Sequence, residues 1–401
     1  MGVPLLLLSV QLLIVLGVQS GGSAGERYRR LFHWDSGHFA EIARNGYRSA
    51  VPPVIDTAMF ERIDDILEGT NVAFFPGYPL AARFVHALTG LPWEWVLPLT
   101  AQFFAIVFFA YVLSLLRLLA FPARTRIVIL LLLLSFPSAF FLVAGYSESL
   151  ALASALGFLY WSLKPGRVSP VAAAAHGFVM TGTRLSLLPV ILFPVCLLIA
   201  RWIEGRQMSR REIMTGIAVS ALGAAGAASV FVFSEIAFGH WNLYMLRQQW
   251  GWGVAFDPLF FVSYPLLTFA AATPENGLDP YRMSSVLSAV FPWMFLVYAA
   301  WEWRARRTDD RSVRIALGVI AFLLWFLAAG ALASNGMQSM VRYVFLPYML
   351  LIFAFFHLQR DSRNGAGMPR RTLLLVSPWI LLCSAVQVLA VRLFTGNFFV
   401  A

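Results

Sequence analysis

Five short stretches of this sequence hold the residue types that could do chemistry. The first is Phe32-His33-Trp34-Asp35-Ser36-Gly37-His38-Phe39-Ala40-Glu41-Ile42-Ala43-Arg44-Asn45-Gly46-Tyr47. Its spacing predicts a helix start: Asp35 or Ser36 serves as N-cap, Phe39, Ile42 and Ala43 line one face, and Asn45-Gly46 ends it. A carboxylate at such a terminus can act as a general base, although a cap alone would look the same. The second stretch, Asn71-Val72-Ala73-Phe74-Phe75-Pro76-Gly77-Tyr78-Pro79-Leu80, is a rigid proline turn with rings suited to a membrane interface.

Gly145-Tyr146-Ser147-Glu148-Ser149 and Thr181-Gly182-Thr183-Arg184 form the third pattern. Glu148 and Arg184 fall at the ends of neighbouring predicted hairpins and could face one polar cavity, as partners or as a structural ion pair. The fourth, Trp241 to Gly253, interleaves Arg247, Gln248 and Gln249 with indoles. It reads as a platform for sugar faces with amides for hydroxyls, or as an interfacial amphipathic helix. The fifth, Ser334-Asn335-Gly336-Met337-Gln338-Ser339-Met340-Val341-Arg342-Tyr343, sets Arg342 at a span end, where a planar guanidinium can clamp a phosphate.

The six histidines lack metal-ligand spacing, so no metal site is expected. Ser147 and Ser149 lack a Gly-x-Ser-x-Gly elbow, which argues against a serine hydrolase. Cys196 and Cys383 both lie in apolar runs and read as packing residues.

The elements that must position these groups are membrane helices. Of 401 residues, 59% are hydrophobic and only 12% charged, too little charge to cover a soluble surface. Apolar runs near 3–18, 93–116, 127–144, 148–163, 168–182, 185–201, 212–237, 283–301, 313–333, 340–358 and 373–393 predict about eleven spans in a single all-α polytopic domain over 1–401. The run 258–272, broken by Pro265, reads as re-entrant or interfacial. Residues 3–18 read as an uncleaved first span rather than a signal peptide, because a basic n-region is missing. Met-Gly followed by Leu at position 6 does not suit myristoylation.

Net charge is +10, from 30 basic and 20 acidic residues. The cations sit at the ends of apolar runs, which points to lipid headgroups and topology rather than nucleic acid. One set of alternate loops holds most of them, from Arg117, Arg124 and Arg126 to Arg304, Arg306, Arg307, Arg311, Arg314, Arg360, Arg370 and Arg371. The opposite short loops hold only Arg184, Arg247, Arg282, Arg342 and Arg392. By the positive-inside rule the first set is cytoplasmic, and the loops 21–92 and 239–282 are then outside. The first of these outer loops is far longer than a connector needs to be and carries more than a third of the 20 acidic residues.

Taken in order, Trp-Asp-Ser-Gly-His-Phe, Phe-Phe-Pro-Gly-Tyr-Pro, Tyr-Ser-Glu-Ser-Leu, Thr-Arg and Arg-Tyr resemble the PIG-V family across most of the chain. These are mannosyltransferases known best for the second mannose of glycosylphosphatidylinositol anchors, with bacterial relatives. The sequence departs from the family pattern at His33, where Arg or Lys is expected, and at Gly77, where a bulkier residue is usual.

The resemblance implies a C-type glycosyltransferase fold with short helices in the first outer loop. The implied donor is a polyprenyl-phosphate sugar rather than a cofactor, and the acceptor a glycolipid or another outer-face molecule. Asp35 is then the base, Arg184 and Arg342 hold the donor phosphate, and His38, Glu148, Asn71 and Tyr78 position substrate; Arg247 and Gln248 join them as positioning residues on the strength of the fourth stretch alone. A bacterial cell membrane is the implied location, or the endoplasmic reticulum in a eukaryote. The rival reading is a secondary transporter or lipid flippase, which would place its charges near mid-span.

Overall fold

The structure, a computed structural model, describes residues 2–52, 54–55, 57–264, 283–305, 311–362 and 370–397. Its described residues are helical throughout, without strands. In chain order the helices are α1 (Gly2–Gly17), α2 (Ala24–Arg29), α3 (Asp35–Asn45), α4 (Ile63–Glu68), α5 (Gly77–Thr89), α6 (Trp93–Leu118), α7 (Ala123–Ser135), α8 (Glu148–Leu163) and α9 (Ser169–Thr181). Then come α10 (Phe193–Ile203), α11 (Arg210–Phe238), α12 (Leu243–Trp252), α13 (Phe260–Ser263), α14 (Met283–Arg304), α15 (Arg311–Leu332), α16 (Met340–Tyr343), α17 (Phe345–Ser362) and α18 (Arg370–Thr395).

Six stretches among the described residues are long and apolar enough to cross a bilayer: Trp93–Leu118, Leu185–Ile203, Arg210–Phe238, Arg311–Asn335, Met340–Gln359 and Val376–Thr395. The chain is therefore an integral, multi-pass membrane protein. These six do not establish the expected count of eleven. Helices α1, α7, α8 and α9 have 16, 13, 16 and 13 residues, shorter than a bilayer crossing ordinarily needs.

The expected span 127–144 is broken. Phe136 precedes Pro137, and the proline ring forces it to an extended ψ of 135°, which ends α7 and restarts the chain as a 3-10 turn over Pro137–Leu142. That turn is fully buried and packs against α18. Phe136 stacks on Phe345, with centroids 5.0 Å apart, and Phe140 and Phe141 both meet Phe394. The 3-10 turn Leu185–Leu192, interrupted by Pro189, continues into α10. Residues 265–272 of the expected re-entrant segment lie outside the described residues, and α13 covers only Phe260–Ser263 before them.

Helices α6, α8, α9 and α11 pack in succession, and α15 packs against both α10 and α17. Between α1 and α6, residues 21–92 carry the short helices expected of a long loop. The face of α3 is as expected, with Phe39, Ile42 and Ala43 buried. The segment 239–264 is fastened onto this first loop: Arg247 donates to Thr70 O and Leu67 O, Gln248 donates to Ala73 O, and a ring nitrogen of His240 lies 2.7 Å from Pro52 O.

Candidate active site

Four charged side chains from distant parts of the chain meet at one end of the bundle, each at the terminus of an element. Asp35 and Glu148 are the first residues of α3 and α8, where the positive end of a helix dipole favours a carboxylate. Arg184 is extended between α9 and the Leu185–Leu192 turn, and Arg342 lies in the single-turn α16. Arg342 Nη1 donates to Asp35 Oδ2 at 2.9 Å across 307 residues of sequence, and its Nε donates to Glu148 Oε1 at 2.6 Å. Arg184 Nη1 donates to the same Glu148 oxygen.

Aromatic faces complete the support of the cations. The Arg342 guanidinium lies 4.8 Å from the Tyr146 ring centroid and 5.0 Å from that of Phe141, while Arg184 lies 5.1 Å from that of Tyr343. The site thus pairs two anions with two cations, and Glu148 Oε2 is buried without a hydrogen-bond partner.

Backbone conformation sets these residues in place. The expected N-cap role of Asp35 or Ser36 is not observed. Trp34 holds the cap position with φ of 51°, a strained conformation for a bulky residue that costs about 1–3 kcal/mol. Ser36 Oγ instead donates to Gly145 O at 2.9 Å, and Gly145 N donates to Leu31 O. A Cβ at Gly145 would stand 2.9 Å from Ser36 Oγ, so only glycine lets the Tyr146–Glu148 hairpin approach α3 this closely.

Gly77 has a similar reason. Its N–H donates to Gly182 O, and a Cβ there would collide with the Thr183 side chain. The glycine at position 77, where the motif resemblance expects a bulkier residue, thus fits α5 against the turn that carries Arg184. At the other departure, His33 is half-buried with its ring edge-on to Phe394. Burial first, and then the nearby Arg30, push its pKa below the ordinary 6.5.

A cavity of about 120 Å³ opens beside the charges. All five sequence stretches contribute to its lining, among them Asp35, Phe74, Arg184, Gln248, Trp252 and Arg342. A smaller void of about 20 Å³, which shares Arg184 and Arg342 with that wall, is also lined by Glu148, Leu324 and Leu346. Glu148, Arg184 and Arg342 therefore meet in one network with Asp35; Glu148 and Arg184 form the ion pair that is one of the two readings of their spacing, and Glu148 lines only the smaller void.

Other candidates stand elsewhere. Tyr78 is fully buried and donates to Leu97 O, and Asn71 braces its own loop, accepting from Arg48 N and donating to Gly46 O. Neither lines the cavity, because each side chain is spent on backbone groups. Arg247 fastens the loops and lies 4.8 Å from the Trp252 ring centroid, outside the cavity wall, and His38 stacks on Phe74. Gln248 does line the wall while bonded to Ala73 O.

The sequence assigned no role to Tyr343, Asn335 and Gln338, although they belong to the fifth stretch, and it named Trp252 only as one of the indoles of a sugar platform. Phe141, under Arg342, carried no signal at all. No group of three or more potential metal ligands occurs among the described residues.

No protein-family profile matches the sequence, and no curated protein matches it. Among solved structures, the chain is similar to ArnT from Cupriavidus metallidurans bound to undecaprenyl phosphate, with a TM-score of 0.49 at 13% identity, covering 98% of this chain and 75% of that one. It is also similar to the archaeal oligosaccharyltransferase AglB from Archaeoglobus fulgidus in complex with an inhibitory peptide and a dolichol-phosphate, with a TM-score of 0.46 at 14% identity, covering 98% of this chain and 55% of that one. Both scores lie below 0.5, and likeness of fold at such identity speaks to neither activity nor substrate.

Proposed function

We propose that this protein is a membrane glycosyltransferase that moves a hexose from a polyprenyl-phosphate carrier to a hydroxyl of a membrane-side acceptor. The observation that carries the reading is the direct bond between Asp35 and Arg342 at the wall of one cavity. A base and a phosphate-binding cation stand within one bond of each other, and Phe74, Tyr244 and Trp252 supply ring faces along the same wall. Mannose, an outward-facing site and a bacterial envelope are the finer expectations, drawn from the motif resemblance and the arginine distribution.

The chemistry assigns each group a task. The acceptor oxygen attacks C1 of the sugar while Asp35 takes its proton, and the C1–O bond to phosphate breaks with its electron pair left on the phosphate oxygen. The sugar carbon inverts, and the lipid phosphate gains one negative charge. Arg342, with Arg184 beside it on Glu148, stabilises that charge through fixed guanidinium donors, so no general acid is needed. Before donor arrives, Arg342 occupies the Asp35 carboxylate; an incoming phosphate competes for the same guanidinium and leaves the carboxylate for the acceptor proton.

A transporter would need its charges near mid-span, whereas these four sit at element termini, and three of them, Asp35, Arg184 and Arg342, line one cavity. The test is transfer of labelled mannose from polyprenyl-phosphate mannose to membrane glycolipid in proteoliposomes. The wild type is expected to label glycolipid and Asp35→Asn to lose the activity at normal protein levels. Full transfer by Asp35→Asn would refute the assigned base, and no transfer by wild type from any polyprenyl-phosphate hexose would refute the reaction class.

A further inference from the structure

The arginines of the cavity call for an anion, but two other atoms call for something different. Glu148 Oε2 and Asn335 Oδ1 are buried without hydrogen-bond partners. A buried acceptor left unsatisfied costs about 1–3 kcal/mol. Ionised phosphate oxygens are acceptors too and cannot relieve it; a group that brings O–H or N–H donors can, whether water or a ligand hydroxyl that displaces it.

Asn335 stands on the cavity wall with Gln338, Ser339 and Arg342, in a turn whose backbone is held against its preference. Gly336, Met337 and Ser339 have φ of 72°, 61° and 65°, and two of these are not glycine. Strain of this kind persists only where the surroundings impose it. Here they do: Met337 is fully buried, its N–H donates to Leu332 O, and Ser334 Oγ donates to Gly253 O while accepting from Ala255 N. These bonds fasten the turn to the residues that follow Trp252. The hydroxyl of Ser334 is thereby used on backbone, while the side-chain oxygen of the neighbouring Asn335, a residue of the same cavity wall as Arg184 and Arg342, has no partner.

A ligand that supplies an anion and several hydroxyl donors together is a phosphosugar. We infer that Asn335 accepts a hydrogen bond from a hydroxyl of the donor sugar, and that the Ala333–Ser339 turn decides which sugar is taken. This deepens the transferase reading and rests on it. A site built to bond a hydroxyl rejects an analogue that lacks or misplaces it far more strongly than an apolar pocket can.

The experiment measures binding of four lipids to the detergent-purified full chain: bare polyprenyl phosphate, polyprenyl-phosphate mannose, its glucose epimer, and phosphatidylglycerol. Wild type is expected to bind one glycosylated carrier about tenfold more tightly than the bare phosphate, an increment of about 1.4 kcal/mol. Asn335→Leu removes that increment and the preference between epimers, leaving the bare carrier unchanged. Asn335→Asp, which keeps the acceptor oxygen, retains the epimer preference. Gln338 is exposed, so Gln338→Ala tests the same turn without touching the core, with an expected fall in preference of about threefold by the usual worth of one neutral hydrogen bond.

Equal binding of bare and glycosylated carriers by wild type overturns the inference, as does an epimer preference that survives both Asn335→Leu and Gln338→Ala. Phosphatidylglycerol competing as well as the glycosylated carrier overturns it too, by assigning the open acceptor to a lipid headgroup. These readouts need no turnover: a wrong assignment of Asp35 shows in transfer by Asp35→Asn, whereas a wrong assignment of Asn335 shows in binding.

Discussion

The two ends of α15 hold the same chemistry in opposite conditions. Near its start, Arg314 is completely buried and grips Glu302 through two bonds, Nε to Oε2 at 2.9 Å and Nη2 to Oε1 at 3.2 Å. Arg311 adds a third bond to the same carboxylate, and Tyr298 donates to Arg314 O. Just past its other end, roughly 27 Å away by helical rise, Arg342 shares two carboxylates beside a cavity, with an acceptor left over. Both oxygens of Glu302 are engaged; one oxygen of Glu148 is not. A buried ion pair by itself therefore says little about function, and the unfilled valence beside an open space says more.

The largest test of that contrast is to neutralise one carboxylate at each end. Asp35→Asn is expected to lower transfer by about 10²–10⁴-fold, the usual worth of a positioned base, with its melting temperature close to wild type. Glu302→Gln is expected to do the reverse. It leaves the buried Arg314 and the partly exposed Arg311 short of their partner, costs about 3–5 kcal/mol of stability, and leaves turnover per folded molecule within about twofold. Thermal unfolding and proteoliposome transfer on the same preparations decide it. If both variants lost stability alone, the cavity cluster would be one more structural ion pair.

The arginines sharpen the comparison next. Arg342→Lys keeps a charge but loses the fork that reaches Asp35 and Glu148 together and the flat face over Tyr146 and Phe141. Transfer is expected to fall about 10²-fold, with most of the loss in kcat because the leaving phosphate is stabilised chiefly in the transition state. A rise in the donor KM alone, with kcat intact, would reduce Arg342 to a binding residue.

How much of this was legible in the sequence follows the same division. Asp35 could be picked out from the helix start it opens and from the motif resemblance, and Glu148, Arg184 and Arg342 because they fall in the loop set that is otherwise poor in charge. Their mutual contact could not, since 307 residues separate Asp35 from Arg342 and only packing joins them. Arg311 and Arg314 read as loop cations that set topology, although Arg314 is buried; the bidentate grip of Glu302 is a tertiary fact without periodic signature. Asn71 and Tyr78 read as substrate contacts because an amide and a phenol look alike in sequence whether they face a ligand or a backbone carbonyl. The helix face of Phe39, Ile42 and Ala43 was readable from spacing, whereas the cap was not, because Trp34 takes a backbone conformation that side-chain preference argues against.

A smaller effect is expected from Gly77→Ala. The added methyl meets the Thr183 side chain and stands 3.0 Å from Gly182 O, so α5 and the turn bearing Arg184 must part slightly. Transfer is expected to fall about tenfold, short of the roughly 10²-fold that a displacement of 1 Å can cost. Thr183→Ala, which removes the obstructing hydroxyl, should restore part of the loss. An unaffected Gly77→Ala would mean that Arg184 is held by Glu148 alone.

The smallest expected effect concerns protons at the cavity end. His33 is held half-buried next to Arg30, and both circumstances favour its neutral form, so its pKa in the folded protein lies below the ordinary 6.5. The unfolded chain then binds a proton more readily than the folded one. The stability this group contributes is complete above about pH 6.5 and is lost as pH falls through 6.5 toward the folded pKa. Melting temperature measured from pH 7.5 down to 5 should decline in the wild type and decline less in His33→Gln, which cannot take up the proton. Superimposable curves for the two proteins would remove His33 from the account, whereas a flatter curve for the variant would show that acid loosens the segment leading into Asp35, where His33 packs on Phe394.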